Sequence, residues 1–214
     1  MEYSADPWVQ RLRDGVPPAT WPVVVAIVLT TIAGVLLLVA EALHPDAVRQ
    51  IDQARRGFIV LLVPLALVVS GPWAAIATWL AGRHDRTVLA RIRSRSEPSF
   101  FLPVVTRSVR GPDDLPAPRP TIWTVDHAGL HGWARGRDAP VVEVPWDRVR
   151  TIDMATTWVR GQRQEYGIWI ETDRGHLVLR PRAALTRASE ASQTKRDVLM
   201  RVLRSLRREL APRD

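Results

Sequence analysis

Two long apolar runs stand out from an otherwise mixed polar and apolar chain. Trp21 to Leu43 has no charge until Glu41, two residues from its end, and Phe58 to Ala81 has none at all. A helix needs roughly 20 apolar residues to cross about 30 Å of hydrocarbon. Both runs are long enough. The pattern predicts a membrane helical hairpin, with a tail over residues 1–20, a transmembrane helix over 21–43, an external loop over 44–56 and a second transmembrane helix over 57–82. The apolar core of a signal peptide is shorter, about 7–15 residues, and ends at a small-residue cleavage site. The first run is therefore read as a retained span. Thr30, Thr31 and Gly34 are small enough to let the two helices approach closely. Pro64 and the Gly71-Pro72 pair are kink positions in the second.

Beyond the second run the pattern changes twice. Over 83–98 the apolar residues Val88, Leu89 and Ile92 are set among arginines, which predicts a basic helical continuation along the membrane interface, ended by Glu97-Pro98. Residues 99–214 are expected to form the soluble domain. Phe100 to Val105 reads as a first strand, followed by a Pro-rich connector to Pro120. From Thr121 the period is two. Ile122 to Val125, Leu130 to Ala134, Val141 to Val144, Tyr166 to Ile170 and Leu177 to Leu179 are strands between turns rich in Gly, Asp and Pro, as in an antiparallel sheet. Val149, Ile152 and Met154 follow Pro145-Trp146-Asp147 at spacings of three and two. Ser192 caps a helix over Gln193 to Leu210, with Val198, Val202, Leu206 and Leu210 on one face and Leu199 and Leu203 widening it. The fold class is a membrane helical hairpin plus an α+β soluble domain.

Charge adds an orientation. Residues 1–82 hold five arginines and six acids, net −1, whereas 83–214 hold 24 arginines and one lysine against 16 acids, net +9. Cytoplasmic flanks are rich in Arg and Lys. Arg83, Arg86, Arg91, Arg93 and Arg95 follow the second run, with Asp85 the only acid among them. Arg49, Arg55 and Arg56 in the loop count the other way but are fewer. Both termini are thus expected in the cytoplasm. A basic domain tethered there is drawn to anionic headgroups. Nucleic acid also suits basic charge, but the charge is spread and the domain is tethered, so no nucleic-acid partner is expected.

Candidate chemistry is sparse. With no cysteine, disulfides, thiol catalysis and Cys-ligated metals are excluded. His127 and His131 straddle a turn with no third ligand. Asp113-Asp114 reads as a solvated pair. Asp147, Asp153, Glu165 and Glu171 have no acid–base spacing. Residues 161–164, Gly-Gln-Arg-Gln, form no phosphate loop. No catalytic, cofactor or metal residue is expected, and no enzyme activity. The expected contact residues are the arginines after the second span and Arg201, Arg204 and Arg208 on the last helix. Trp158, Arg160 and Arg163 form a smaller basic–aromatic candidate.

Thr124-Val125-Asp126-His127-Ala128-Gly129-Leu130, then Val144-Pro145-Trp146-Asp147-Arg148-Val149, then Gly167-Ile168-Trp169-Ile170 and Gly175-His176-Leu177-Val178-Leu179 resemble the bacterial PH-like domains. In that family a strand ending in V-x-x-x-G-L leads to an I/V-P-W-x-x-I/V step, a hairpin and a closing helix, often behind one or two transmembrane helices. The resemblance covers about residues 120–210, or from about 99 if Phe100 to Val105 is a strand. It implies a strongly bent antiparallel sheet, a PH-like half-barrel closed by the last helix. Gly129 would serve the turn and Trp146 the core, its indole N–H needing a partner. Eukaryotic relatives bind phosphoinositides through a basic loop between the first two strands. The turn Asp126 to Gly129 is not basic, so that activity is not carried over. The resemblance implies a binding or scaffold module at the bacterial plasma membrane, whose partners are the bilayer, anionic headgroups, or a membrane or cytoplasmic protein, itself included. The alternatives are an accessory subunit of a larger membrane complex and, further off, a membrane enzyme or transporter component.

Overall fold

The computed structural model describes residues 6–43, 57–105, 117–187 and 189–211. The expected external loop at 44–56 and the Asp113-Asp114 pair lie outside the described residues. In chain order the elements are α1 (Pro7–Arg13), α2 (Trp21–Leu43), α3 (Gly57–Arg93), β1 (Phe100–Pro103), β2 (Ile122–Val125), β3 (Gly129–Trp133), β4 (Val142–Pro145), a 3-10 turn at Trp146–Arg148, β5 (Val149–Val159), β6 (Gln162–Thr172), β7 (Gly175–Leu179) and α4 (Gln193–Leu210). They divide into two compact units. One is Ala19–Leu80; the other combines Met1–Pro18 with Ala81–Asp214.

In the first unit, α2 is long and apolar enough to span a membrane, and its most apolar stretch is only 6% buried. Gly34 is its one buried residue. A Cβ at Gly34 would come within 2.9 Å of Val68 Cγ2 and 3.1 Å of the Pro64 carbonyl, and a Cβ at Gly71 would collide with the Thr31 hydroxyl. The two helices therefore approach at small residues, as membrane helices do, and the pairing of residue 34 with 64–68 and of 31 with 71 makes them antiparallel. Thr30 and Thr31 donate to the Ala26 and Ile27 carbonyls at 2.8 and 2.9 Å, so neither hydroxyl is left bare in an apolar setting. In α3 the apolar stretch found among the described residues is Leu62–Ile76. Pro64 and Pro72 both lie inside this helix.

The second unit is an α+β structure. β1–β2–β3–β4 form one antiparallel sheet and β5–β6–β7 another. They are joined at one corner, where Val104 bridges Pro181, the Val105 N–H donates to the Arg180 carbonyl and the Arg182 N–H donates to the Pro103 carbonyl. α4 lies against β5 and β6. Its Leu199, Val202, Leu203 and Leu206 join Phe100, Leu102, Ile122, Trp123, Ile168 and Ile170 in one core. The three-residue step from Val149 to Ile152 has a local cause. The β5–β6 register shifts between Val149 and Thr151, and such a bulge keeps both side chains on the buried face.

Two expectations are corrected here. Residues 1–20 read as a loose tail, but α1 packs on β1, and Val9 and Leu12 are buried in the core. The chain leaves α1 through Gly15 at φ +64°, where a Cβ would lie 2.7 Å from the Phe101 ring. Val88, Leu89 and Ile92 were expected along the membrane interface. They are buried instead in the core of the second unit. A fragment starting near residue 97 would thus lack five core residues. Ile92, fully buried, is the most direct probe: Ile92→Ala should lower stability by about 2–4 kcal/mol, read from thermal unfolding of the detergent-solubilised full chain.

Candidate functional site

Asp85 holds the end of α3 to the second unit. Asp85 is 3% exposed and its carboxylate forms a bidentate pair with Arg182, 8% exposed, at 2.9 Å (Oδ2 to Nη1) and 3.0 Å (Oδ1 to Nη2). The Thr186 N–H donates to Oδ2 at 2.7 Å, fixing a residue at φ +63°. Arg182 also donates to the carbonyls of Thr121, 3.1 Å, and Arg187, 3.2 Å. One carboxylate thus ties the end of α3 to the loop before α4 and, through Arg182, to the start of β2. The sequence carries only a faint sign of this, a lone acid in an arginine run. The partner is 97 residues away.

The expected contact arginines separate into two groups. Arg91 pairs with Asp138 at 3.1 Å and donates to the Arg137 carbonyl at 3.0 Å, and Arg95 donates to the Asp138 carbonyl. Arg93 donates to the Gly15 carbonyl at 2.9 Å. Arg204 donates to the Ile152 carbonyl at 2.6 Å and pairs with Asp153 at 3.2 Å. These four fasten α3 and α4 to the unit's own loops and strands. Arg207 and Arg196 act alike, donating to the carbonyls of Arg150 and Glu165, each at 2.8 Å. Arg83, Arg86, Arg201 and Arg208 have exposed side chains.

The β2–β3 turn is a closed polar system. Asp126 Oδ1 accepts from the N–H groups of Ala128, 2.8 Å, and Gly129, 3.2 Å, and lies 3.1 Å from His131 Nε2. The Trp146 indole N–H donates to the Asp126 carbonyl at 2.8 Å, which supplies the partner that a buried tryptophan needs. Gly129, at φ +149°, has the Val144 carbonyl where a Cβ would stand. His127 is exposed, while His131 faces Asp126 and Glu143. Among the described residues no group of three or more His, Asp or Glu side chains could hold a metal.

Two surfaces are not absorbed by such contacts. At the tip of the β5–β6 hairpin Trp158 is 74% exposed, opposite Arg163 and next to Arg160. The other is a cavity of about 240 Å³ in the second unit, lined by α1, the residues after it, the loop before α4 and Lys195. Three cations, Arg11, Arg187 and Lys195, line it together with Trp8, Leu12 and Val16, and among the described residues no acid does. The Lys195 ammonium sits over the Trp8 ring, 5.3 Å from its centroid, within cation–π range. No protein-family model matches the chain, and neither the curated proteins nor the solved structures yield a match.

Removing one member of a buried ion pair leaves the other charge without compensation. Asp85→Asn should therefore cost about 3–5 kcal/mol, and replacing both partners with apolar residues, Asp85→Leu with Arg182→Met, should recover most of that loss. Denaturant unfolding of the two variants beside the parent chain checks both statements.

Proposed function

We propose that this chain is a non-enzymatic integral membrane protein that presents a PH-like binding or scaffold module at the cytoplasmic face of a bacterial plasma membrane. The observation that carries this reading is α2, 23 residues of apolar helix in which Gly34 alone is buried. Such a surface needs lipid around it. The uncharged run Phe58 to Ala81 supplies the second span, and the small-residue packing of Gly34 and Gly71 supports a hairpin. Two spans put both ends on one side, and the arginines from Arg83 to Arg95 favour the cytoplasm. Support for the PH-like reading comes from order. The strand and turn at Asp126 to Gly129, the Pro145-Trp146 step, the β5–β6 hairpin and a closing helix follow one another as in that family, with α4 against β5 and β6. The polar side chains nearest to a site are engaged in holding the fold, which favours a binding surface over a catalytic one.

The chain has no cysteine, so single cysteines can map its topology without background. Asp52→Cys should be labelled by a membrane-impermeant maleimide on cells made permeable only at the outer membrane, if there is one. His127→Cys and Arg208→Cys should be labelled only after the inner membrane is opened. Labelling of His127→Cys before that step would reverse the orientation. Release of the protein from membranes without detergent would remove the anchor altogether.

A further inference from the structure

The geometry points to the cavity beside α1 as a binding site for a phosphate-bearing anion, the phosphodiester headgroup of an anionic membrane lipid. Its walls come from three separate parts of the chain: α1 and the residues after it, residues 183–185, 187 and 189 before α4, and the first turn of α4. Each brings one cation. Arg11, Arg187 and Lys195 all line it, and no acid stands among the described lining residues, so the lining itself supplies no countercharge. An anion placed between them supplies that countercharge and accepts charge-assisted hydrogen bonds from two guanidinium groups and one ammonium. The volume, about 240 Å³, is far above the ~15 Å³ that one water needs by the same measure. The remaining lining suits a lipid more than a free anion. Leu12, Val16 and Pro18 offer apolar surface for a glycerol backbone or the start of an acyl chain.

Chain connectivity gives the source. Pro18, one of the lining residues, stands three residues before Trp21, where the apolar helix begins. On the proposed topology this part of the lining belongs to the last residues before the bilayer, where anionic headgroups are concentrated. The site therefore rests on the membrane-anchored reading. It also depends on the buried pair: the Arg187 carbonyl is held by Arg182, and Arg182 is held by Asp85. The wall that carries the second cation is set by the end of α3.

The test is native mass spectrometry of the full chain in detergent, titrated with phosphatidylglycerol, phosphatidylcholine or glycerol 3-phosphate. The parent protein should retain phosphatidylglycerol in preference to the other two. Changing Arg11→Gln, Arg187→Gln and Lys195→Gln together should weaken that retention roughly thirtyfold or more. A control that removes three exposed charges elsewhere, Arg135→Gln, Arg150→Gln and Arg174→Gln, should bind like the parent. Thermal unfolding verifies that both variants are folded. If the triple variant is unstable, Lys195→Gln alone should still give a weaker, measurable binding curve. Equal retention of phosphatidylcholine overturns the proposal, as does parent-like binding by the folded triple variant or an equal loss in the control. Glycerol 3-phosphate binding as tightly as the lipid overturns the lipid assignment. None of these readings depends on which way the chain faces, so cysteine mapping can fail while this site stands, and the reverse.

Discussion

A carboxylate and a guanidinium taken out of water are costly unless each lone pair and each proton finds a partner. Asp85 and Arg182 come close to meeting that demand. The carboxylate takes two guanidinium contacts and a backbone N–H, and the guanidinium reaches two further carbonyls. Those groups belong to three segments far apart in sequence: the end of α3, the start of β2 and the loop 182–187. A pair of this kind contributes more to uniqueness than to raw stability, because a different arrangement of the segments would strand a charge. It explains why α3 runs on past its apolar stretch to Arg93 instead of stopping where the hydrocarbon pattern stops.

The same logic runs through the arginines. Arginine carries several donors in a flat fork and remains charged, so it can hold backbone carbonyls at the ends of strands and loops. Arg91, Arg93, Arg95, Arg196, Arg204 and Arg207 all do this. A net basic charge thus overstates how much of the surface is available for anions. What is available is local, and the cavity beside α1 gathers three cations with no acid among its described lining residues.

Much of the architecture was legible in the residues. The apolar run Trp21 to Leu43 has the bounds of α2, the alternation after Thr121 located β2, β3, β4, β6 and β7 but not the eleven-residue β5, and Ser192 caps α4 through a bond from the Lys195 N–H. Other features were hidden for physical reasons. α1 has seven residues and a proline, too short for periodicity to show, and it is held by Val9 and Leu12 reaching the core. Val88, Leu89 and Ile92 have a spacing that suits either a membrane interface or a protein core, and only tertiary contact decides between them. The partner of Asp85 and the convergence of Arg11, Arg187 and Lys195 depend on chain segments that no local window joins.

Lys195 has one more property. It is the only lysine among 214 residues. Apart from the chain's own amino terminus, the molecule therefore has a single amino group, that of Lys195, which lies over the Trp8 ring in the lining of the cavity. Chemistry directed at amines, whether an acetyl donor, a fluorophore ester or a crosslinker, meets one side chain rather than a scattered population. The protein thus comes with a built-in attachment point at the place where its cations gather, with an indole beside it to report optically on what arrives.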